Sequence, residues 1–365
     1  MKKILKIMLI AFSSLIGILI ICLLIIRFNS PGKLAPLTDT NGDIIPGSIS
    51  EKIWVEVNGI KQGMFIRSEN PENPVILFLH GGPGTPLLQF ISKLEKTERL
   101  EKYFTVCYWD QRGAGMTYQK STDSESMTIE QMVDDAHKVT EYLKSRFGQD
   151  KICLIGQSWG TYLGVKVIEK YPEDYKAYIG IGQLAYQLQS EQLAYNYMLQ
   201  HAKEIGDNKM VENLKKHDPY SVGFPQKDYN YKVRTPLMNK YGIGMLHEGV
   251  TIGKILGALI GFKGYTIKEK INFFRGADFS IELLFGTLTN DNLFESAPKF
   301  DVPFYVAHGI YDYMVSYTLA KKYIDFIDAP KKRFYTFDNS AHSPNMEEPE
   351  KFVRIVREIT SENTY

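Results

Sequence analysis

The nine residues from 152 to 160 restrict what this chain can fold into more than any other stretch. A short apolar run at 152–155 leads into Gly156-Gln157-Ser158-Trp159-Gly160, and a helical pattern covers 159–170. A strand that turns straight into a helix through G-x-S-x-G leaves no room for side chains two residues either side of the serine. The serine is lifted off the strand end, and the helix N-terminus points at it. Five-residue matches of this kind arise by chance; the strand before and the helix after give this one its meaning.

The rest of the chain supplies the sheet that such a turn requires. Residues 53–57 and 60–66 alternate apolar and polar around Asn58-Gly59, a hairpin signal. Residues 75–79 form a continuous apolar run, as expected of a strand buried on both faces. Further short runs fall at 104–109, 178–181, 302–307 and 333–337, with helical patterns near 128–147, 317–327 and 347–361. This alternation predicts an α/β fold, a mostly parallel sheet with helices on both faces. Residues 183–297 break the rhythm: too long for a crossover and rich in Tyr, they read as a helical cap over the sheet's carboxyl edge.

A serine hydroxyl is a poor nucleophile unless a base takes its proton and a third group orients the base. Among the histidines after Ser158, His308 and His342 lie near strand ends. His342 follows the last strand and is the expected base; His308 is expected to support its loop. Asp312, just past the 302–307 strand, is the expected acid, with Asp338 as the nearer alternative. His80-Gly-Gly-Pro-Gly84 follows the 75–79 strand, where glycines let main-chain N–H groups approach a developing oxyanion. Pro83 has no N–H, so Gly82 is preferred as donor, paired with the N–H of Trp159. Asp110-Gln-Arg112-Gly follows the 104–109 strand and is expected to supply an ion pair that braces the active-site loops. The sequence holds no H-E-x-x-H and no paired Cys-x-x-Cys, so neither a metal nor another cofactor is expected. Cys107 and Cys153 both fall in buried-strand patterns and read as reduced core thiols.

The N-terminus has a different character. Residues 7–26 carry no charge, and a helix of that length spans roughly 30 Å, one bilayer core. Lys2, Lys3 and Lys6 precede it and Arg27 and Lys33 follow, so the positive-inside rule puts the N-terminus in the cytoplasm and the body outside the cell membrane. A cleaved signal peptide is the competing reading, but its apolar core is normally ~7–15 residues and ends in a small-x-small site that Ile25-Ile-Arg-Phe-Asn29 lacks. The expected organisation is therefore a tip and single-pass anchor at 1–27, a linker at 28–50, a hydrolase core at 51–182 and 298–365, and a cap at 183–297. Asp39-Thr-Asn-Gly-Asp43 is half of a calcium-loop pattern and reads as a turn. Across the chain, 43 Lys+Arg against 42 Asp+Glu leave a net charge of +1, too even for a nucleic-acid binder held by a basic field.

Together, His80-Gly-Gly-Pro-Gly84, Asp110-Gln-Arg-Gly113, Gly156-Gln-Ser-Trp-Gly160, Gly309-Ile-Tyr-Asp312 and Ser340-Ala-His342 resemble the α/β-hydrolase superfamily in its proline iminopeptidase-like branch. The resemblance spans about residues 50–360, dense in the core and thin in the cap. It implies an eight-stranded α/β-hydrolase sheet with an inserted helical cap, no cofactor, and Ser158, Asp312 and His342 as triad. It implies a small-molecule or short peptide substrate and cap acids that hold a free amino group; candidates are Glu191, Glu204, Glu248 and Glu282, with Glu191 and Glu248 preferred. His80, Asp110 and Arg112 would support the loops. Where these peptidases carry a second Gly before the nucleophile, this chain has Gln157. An esterase or lipase on apolar acyl groups is the alternative, since 250–262 is apolar apart from Lys254. A non-catalytic binding protein on the same fold is a remoter one.

Overall fold

The computed structural model describes residues 2–91, 98–221, 223–225 and 228–362. Met1 of the expected tip, residues 92–97 and 363–365 of the expected core, and 222, 226 and 227 of the expected cap lie outside them. The chain opens with a long helix, α1 (Lys2–Phe28), followed by the hairpin β1 (Ile49–Val57) and β2 (Ile60–Ser68). Next come β3 (Val75–Leu79), a short α2 (Leu88–Ile91), β4 (Thr105–Trp109), α3 (Ile129–Phe147), β5 (Ile152–Gln157), α4 (Trp159–Lys170) and β6 (Tyr175–Ile181). Between β6 and β7 lie α5 (Gln187–Glu204), α6 (Asn208–Lys215), α7 (Thr235–Lys240), α8 (Ile252–Gly261), α9 (Ile267–Asn290) and α10 (Leu293–Ser296). The chain ends with β7 (Phe304–Gly309), α11 (Tyr317–Phe326), β8 (Lys332–Phe337), α12 (Pro344–Glu347) and α13 (Pro349–Glu362).

The strands form one eight-stranded sheet in the order β1-β2-β4-β3-β5-β6-β7-β8. β2 is antiparallel to β1 and β4, and every pair from β4 through β8 is parallel. The central strands are buried along their whole length, which is why they read as unbroken apolar runs. One expectation fails in detail. The predicted alternation of β2 gives way to burial of every residue from Gln62 to Ser68. The inserted segment covers the outer face: Phe65 packs its ring against Phe262 and Tyr265 at 5.6 and 5.7 Å.

The lead-in after α1 is bonded to the insert. Pro31 bridges Thr266, Lys33 N–H donates to Lys263 O at 3.0 Å, and the Lys270 ammonium donates to Asn29 O at 2.6 Å. Asp39 accepts the N–H groups of Asn41 and Asp43, so the half-calcium pattern is a self-capped turn. Cys107 and Cys153 are buried and free.

Arg112 supplies the expected ion pair, but its partner is Asp135 on α3, in fork geometry at 2.7 and 3.0 Å. Asn58, Gln62 and Gln131 also donate to the Asp135 carboxylate, so the buried charge is saturated. Breaking one side of such a pair strands the other charge. Arg112→Met is therefore expected to cost about 3–5 kcal/mol, read as a lower denaturation midpoint in urea, whereas Lys138→Met on the surface of α3 is expected to leave the midpoint unchanged.

Candidate active site

Ser158 sits at the tip of the β5–α4 turn with φ 55° and ψ −121°, a left-handed conformation that a serine adopts only under constraint. The constraint is packing. A Cβ at Gly156 would lie 2.3 Å from Gly160 O, and one at Gly160 would lie 2.1 Å from Leu79 O. Either side chain would force the turn apart. The Ser158 N–H donates to Ile181 O at 2.9 Å, which fixes the turn against the end of β6.

The His342 ring lies against the residue that follows that strand: a Cβ at Gly182 would meet its Cε1 at 2.8 Å and Nδ1 at 2.9 Å. His342 Nδ1 is 2.7 Å from Asp312 Oδ2. A carboxylate accepts only, so Nδ1 carries the proton and Nε2 keeps its lone pair. That Nε2 is buried and meets no hydrogen-bond partner among the described residues. Asp312 Oδ1 takes the Val315 N–H at 3.0 Å. Burial alone would raise this carboxyl, yet His342 and His308 beside it hold it well below the usual carboxylate range. His308 does more than support its loop, because its Nε2 is 2.9 Å from the same Asp312 oxygen. The alternative acid, Asp338, is exposed and faces Lys351 at 3.6 Å.

The glycine loop after β3 lies over the serine. A Cβ at Gly81 would come within 3.2 Å of Ser158 Cβ, and Gly82 next to it holds φ +116°. Trp159 opens α4, so its N–H has no intrahelical acceptor. The two loops are tied by a residue that motif reading passed over. Gln111 accepts from Trp159 Nε1 at 3.0 Å, donates to His80 O at 3.2 Å, and gives its N–H to His80 Nε2 at 3.2 Å. His80 therefore carries its proton on Nδ1, which donates to Gly81 O at 2.8 Å. Asp110 does not reach Arg112; its Oδ2 accepts from Tyr265 Oη at 2.6 Å and Met116 N at 2.8 Å, and burial pushes its carboxyl up to about 7.

Gln157 is a second residue whose role was not legible. It is buried, its amide donates to Ser343 Oγ at 3.1 Å and accepts from Asn345 Nδ2 at 3.2 Å. The residue before the serine thus holds the residue after His342. Glu347 and Glu348 frame the same loop from the other side, accepting from Ala341 N–H and from Ser340 Oγ at 2.8 and 2.7 Å.

The acidic residues of the insert are placed differently from one another. Glu191 is fully buried and saturated: Arg234 Nε at 2.7 Å, Tyr229 Oη at 3.0 Å and Gln187 Nε2 at 2.6 Å. Glu204, Glu248 and Glu282 are exposed. None of the four presents a free, sheltered carboxylate.

Comparison with known proteins agrees with this geometry. A family model described as "alpha/beta hydrolase fold" matches residues 74–220. The Bacillus subtilis (strain 168) protein named "Probable aminopeptidase YbaC" is 33% identical over 317 residues, covering 86% of this chain and 98% of that protein. A proline iminopeptidase of Clostridioides difficile (strain 630) is 25% identical over 319 residues, 85% of this chain and 98% of its own. Among solved structures, the Mycobacterium smegmatis proline iminopeptidase superposes with a TM-score of 0.63 at 18% identity, covering 86% of this chain and 98% of that one. The chain belongs to the α/β-hydrolase superfamily, in its proline iminopeptidase-like branch.

His80 sets a pH dependence for the glycine loop after β3. Burial lowers its imidazole from 6.5 to about 4. The native state keeps it neutral while the unfolded chain protonates it, so the His80 contribution to stability is full above about pH 6.5 and is lost as pH drops toward 4, by roughly 3 kcal/mol in all, while the raised Asp110 carboxyl acts in the opposite sense over the same range. His80→Gln removes this contribution, so the stability difference between the natural protein and the variant is expected to shift against the natural protein as pH drops from 6.5 to 4, measured by thermal melts of both at fixed ionic strength.

Proposed function

We propose that this protein is a membrane-anchored serine hydrolase that cleaves an amide or ester bond through an acyl-enzyme. The observation that carries this reading is the buried Asp312–His342 pair with its free Nε2, on a ring packed against Gly182, next in sequence to the Ile181 whose carbonyl takes the N–H of the strained Ser158. His342 takes the Ser158 proton as Oγ attacks the carbonyl carbon. Asp312 fixes the tautomer and stabilises the imidazolium. The N–H groups of Gly82 and Trp159 receive the oxyanion, each donor contributing about 3 kcal/mol. His342 then protonates the leaving group, and the acyl-serine is hydrolysed by water that His342 deprotonates in turn.

Aminopeptidase activity on short peptides is the first substrate reading, supported by the aminopeptidase-named relative that aligns along nearly its whole length. An ester substrate is the second, and a specific observation favours it. Glu191 is already neutralised by Arg234, so the insert has no spare buried carboxylate at that position for an ammonium group. Assays on aminoacyl amides and on acyl esters of graded length separate the two. Amide turnover that requires a free amine supports the peptidase; ester turnover without amide turnover sinks it. Ser158→Ala is expected to lower kcat about 10⁶-fold and Asp312→Asn roughly 10⁴-fold on whichever substrate is turned over. Unchanged turnover in Ser158→Ala overturns the assignment.

The helix α1 is read as the anchor. Within Lys3–Phe28 an 18-residue window reaches a mean hydropathy of 3.1, and none of that window is buried inside the structure. Contacts of Asn29, Pro31 and Lys33 with the insert hold the chain that follows it in place, which favours a retained helix over a cleaved leader. With Lys2, Lys3 and Lys6 before it, the N-terminus faces the cytoplasm and the catalytic body lies outside. The full-length chain is expected to stay in the membrane pellet through alkaline carbonate, and protease added to intact cells to digest the body. Release of a species lacking α1, or full protection of the body, contradicts this topology.

A further inference from the structure

We propose that the outward faces of α8 and α9 dock on the surface of the bilayer that holds α1, with anionic headgroups as the partner. The proposal rests on reading α1 as a retained anchor. α8 presents Ile252 and Leu256, and α9 presents Ile267, Ile271 and Phe274, each between 40% and 76% exposed. Both sets follow helical spacing, i to i+4 on α8 and i, i+4, i+7 on α9, so each is a stripe and not scatter.

The two stripes meet where α1 leaves the body. Lys270, three residues after Ile267 and four before Phe274, sits buried at the edge of the α9 stripe. Its ammonium donates to Asn29 O just after α1 at 2.6 Å and to Ile260 O in the last turn of α8 at 2.7 Å. The uncharged run of α1 ends at Ile26, three residues earlier. At 1.5 Å per residue the Lys270 clamp lies about 5 Å beyond the hydrocarbon core, inside a headgroup layer ~5–8 Å deep. A face fixed at that height cannot avoid the interface.

Its charge matches the interface. Residues 250–275 contain the five cations Lys254, Lys263, Lys268, Lys270 and Arg275 and the single acid Glu269. Glu269 is already paired with Lys52 at 2.6 Å, and Lys254, Lys263, Lys268 and Arg275 are exposed around the stripes. Apolar stripes rimmed by cations are the composition of a helix that lies in an anionic surface. Docking has a consequence for the site. A mostly apolar cavity of about 280 Å³ under α8 is lined by Phe90, Met245, Ile255, Ala258 and Met346, with Lys254 also among its lining residues. Met245 follows Gly244, whose carbonyl takes the His342 N–H at 3.2 Å. A docked α8 therefore places the cavity that borders the His342 loop next to the bilayer.

The test uses the full-length chain in vesicles of phosphatidylglycerol and phosphatidylcholine, with an environment-sensitive fluorophore on single cysteines and doxyl-labelled lipid as quencher. Native Cys22 reports on α1, and Ile252→Cys, Leu256→Cys and Ile271→Cys, each in a Cys22→Ala background, report on the face. Phe326→Cys on α11 is the exposed reference. The expected result is quenching at Cys22 and at least twofold stronger quenching at 252, 256 and 271 than at 326, increasing with the phosphatidylglycerol fraction. Quenching at Cys22 with 252, 256 and 271 no different from 326 overturns the docking and leaves the anchor standing. No quenching at Cys22 overturns the anchor reading and the docking with it.

Discussion

The site depends on a backbone that would not hold its shape alone. A serine at φ 55° costs of order 1–3 kcal/mol and persists only where its surroundings over-determine it. Here three neighbours do so. Gly160 packs on the Leu79 carbonyl at the end of β3, Gly156 packs on Gly160, and the Ser158 N–H is taken by Ile181 at the end of β6. The strain is thus carried by adjacent parallel strands, whose register is set far from the turn. Everything else converges on the same edge: the His80–Gly84 loop leaves β3, Gln111 leaves β4, and Asp312 follows β7.

Charge is the second constraint. Asp312 is buried and ionised, a state that is costly unless the carboxylate is saturated with donors. Val315 N–H takes one oxygen and two histidines crowd the other. The second histidine matters for geometry. With His308 fixed at the end of β7 and pressed on Asp312, the carboxylate cannot swing away from His342. The same logic recurs at Asp135, where four side chains surround one carboxylate, and at Glu191. The three differ in what is left over. Asp135 and Glu191 have spent their acceptors on structure, whereas the chain from Asp312 ends in a free imidazole nitrogen.

How much of this is legible in the sequence follows from the range of the interactions. Strands buried on both faces announce themselves as apolar runs, so β3 and α4 match their predicted limits and the other core elements fall within a few residues. Ser158, His342 and Asp312 are legible because the chain order and strand ends single them out. Gln157 and Gln111 are not. The bond from Gln157 to Ser343 joins residues 186 apart, and an amide side chain carries no periodicity that points to its partner. Arg112 is visible as a cation near the site, but its partner Asp135 looks like any polar residue on an amphipathic helix. Among the acids of the insert, nothing local separates Glu191 from Glu248; only Arg234, 43 residues on, removes the first from service.

That last contrast divides the molecule by kind of constraint. The core is specified by motifs because its chemistry demands particular atoms at a strand edge, and those demands recur wherever the chemistry does. The insert answers to what it touches. Its α9 packs so closely on the glycine loops that a Cβ at Gly84 would lie 2.7 Å from Ser280, and Tyr265 reaches Asp110 beneath the same loops. Its other side meets the chain that emerges from α1. The Lys270 ammonium, bonded to main-chain carbonyls on both α1's exit and α8, couples the position of α1 to the position of the inserted helices. A rigid link of this kind removes the freedom that the 20-residue lead-in between Phe28 and Ile49 would otherwise give the body. With α1 as the proposed anchor, the orientation of the proposed site relative to the membrane is then a property of the fold and not of a tether.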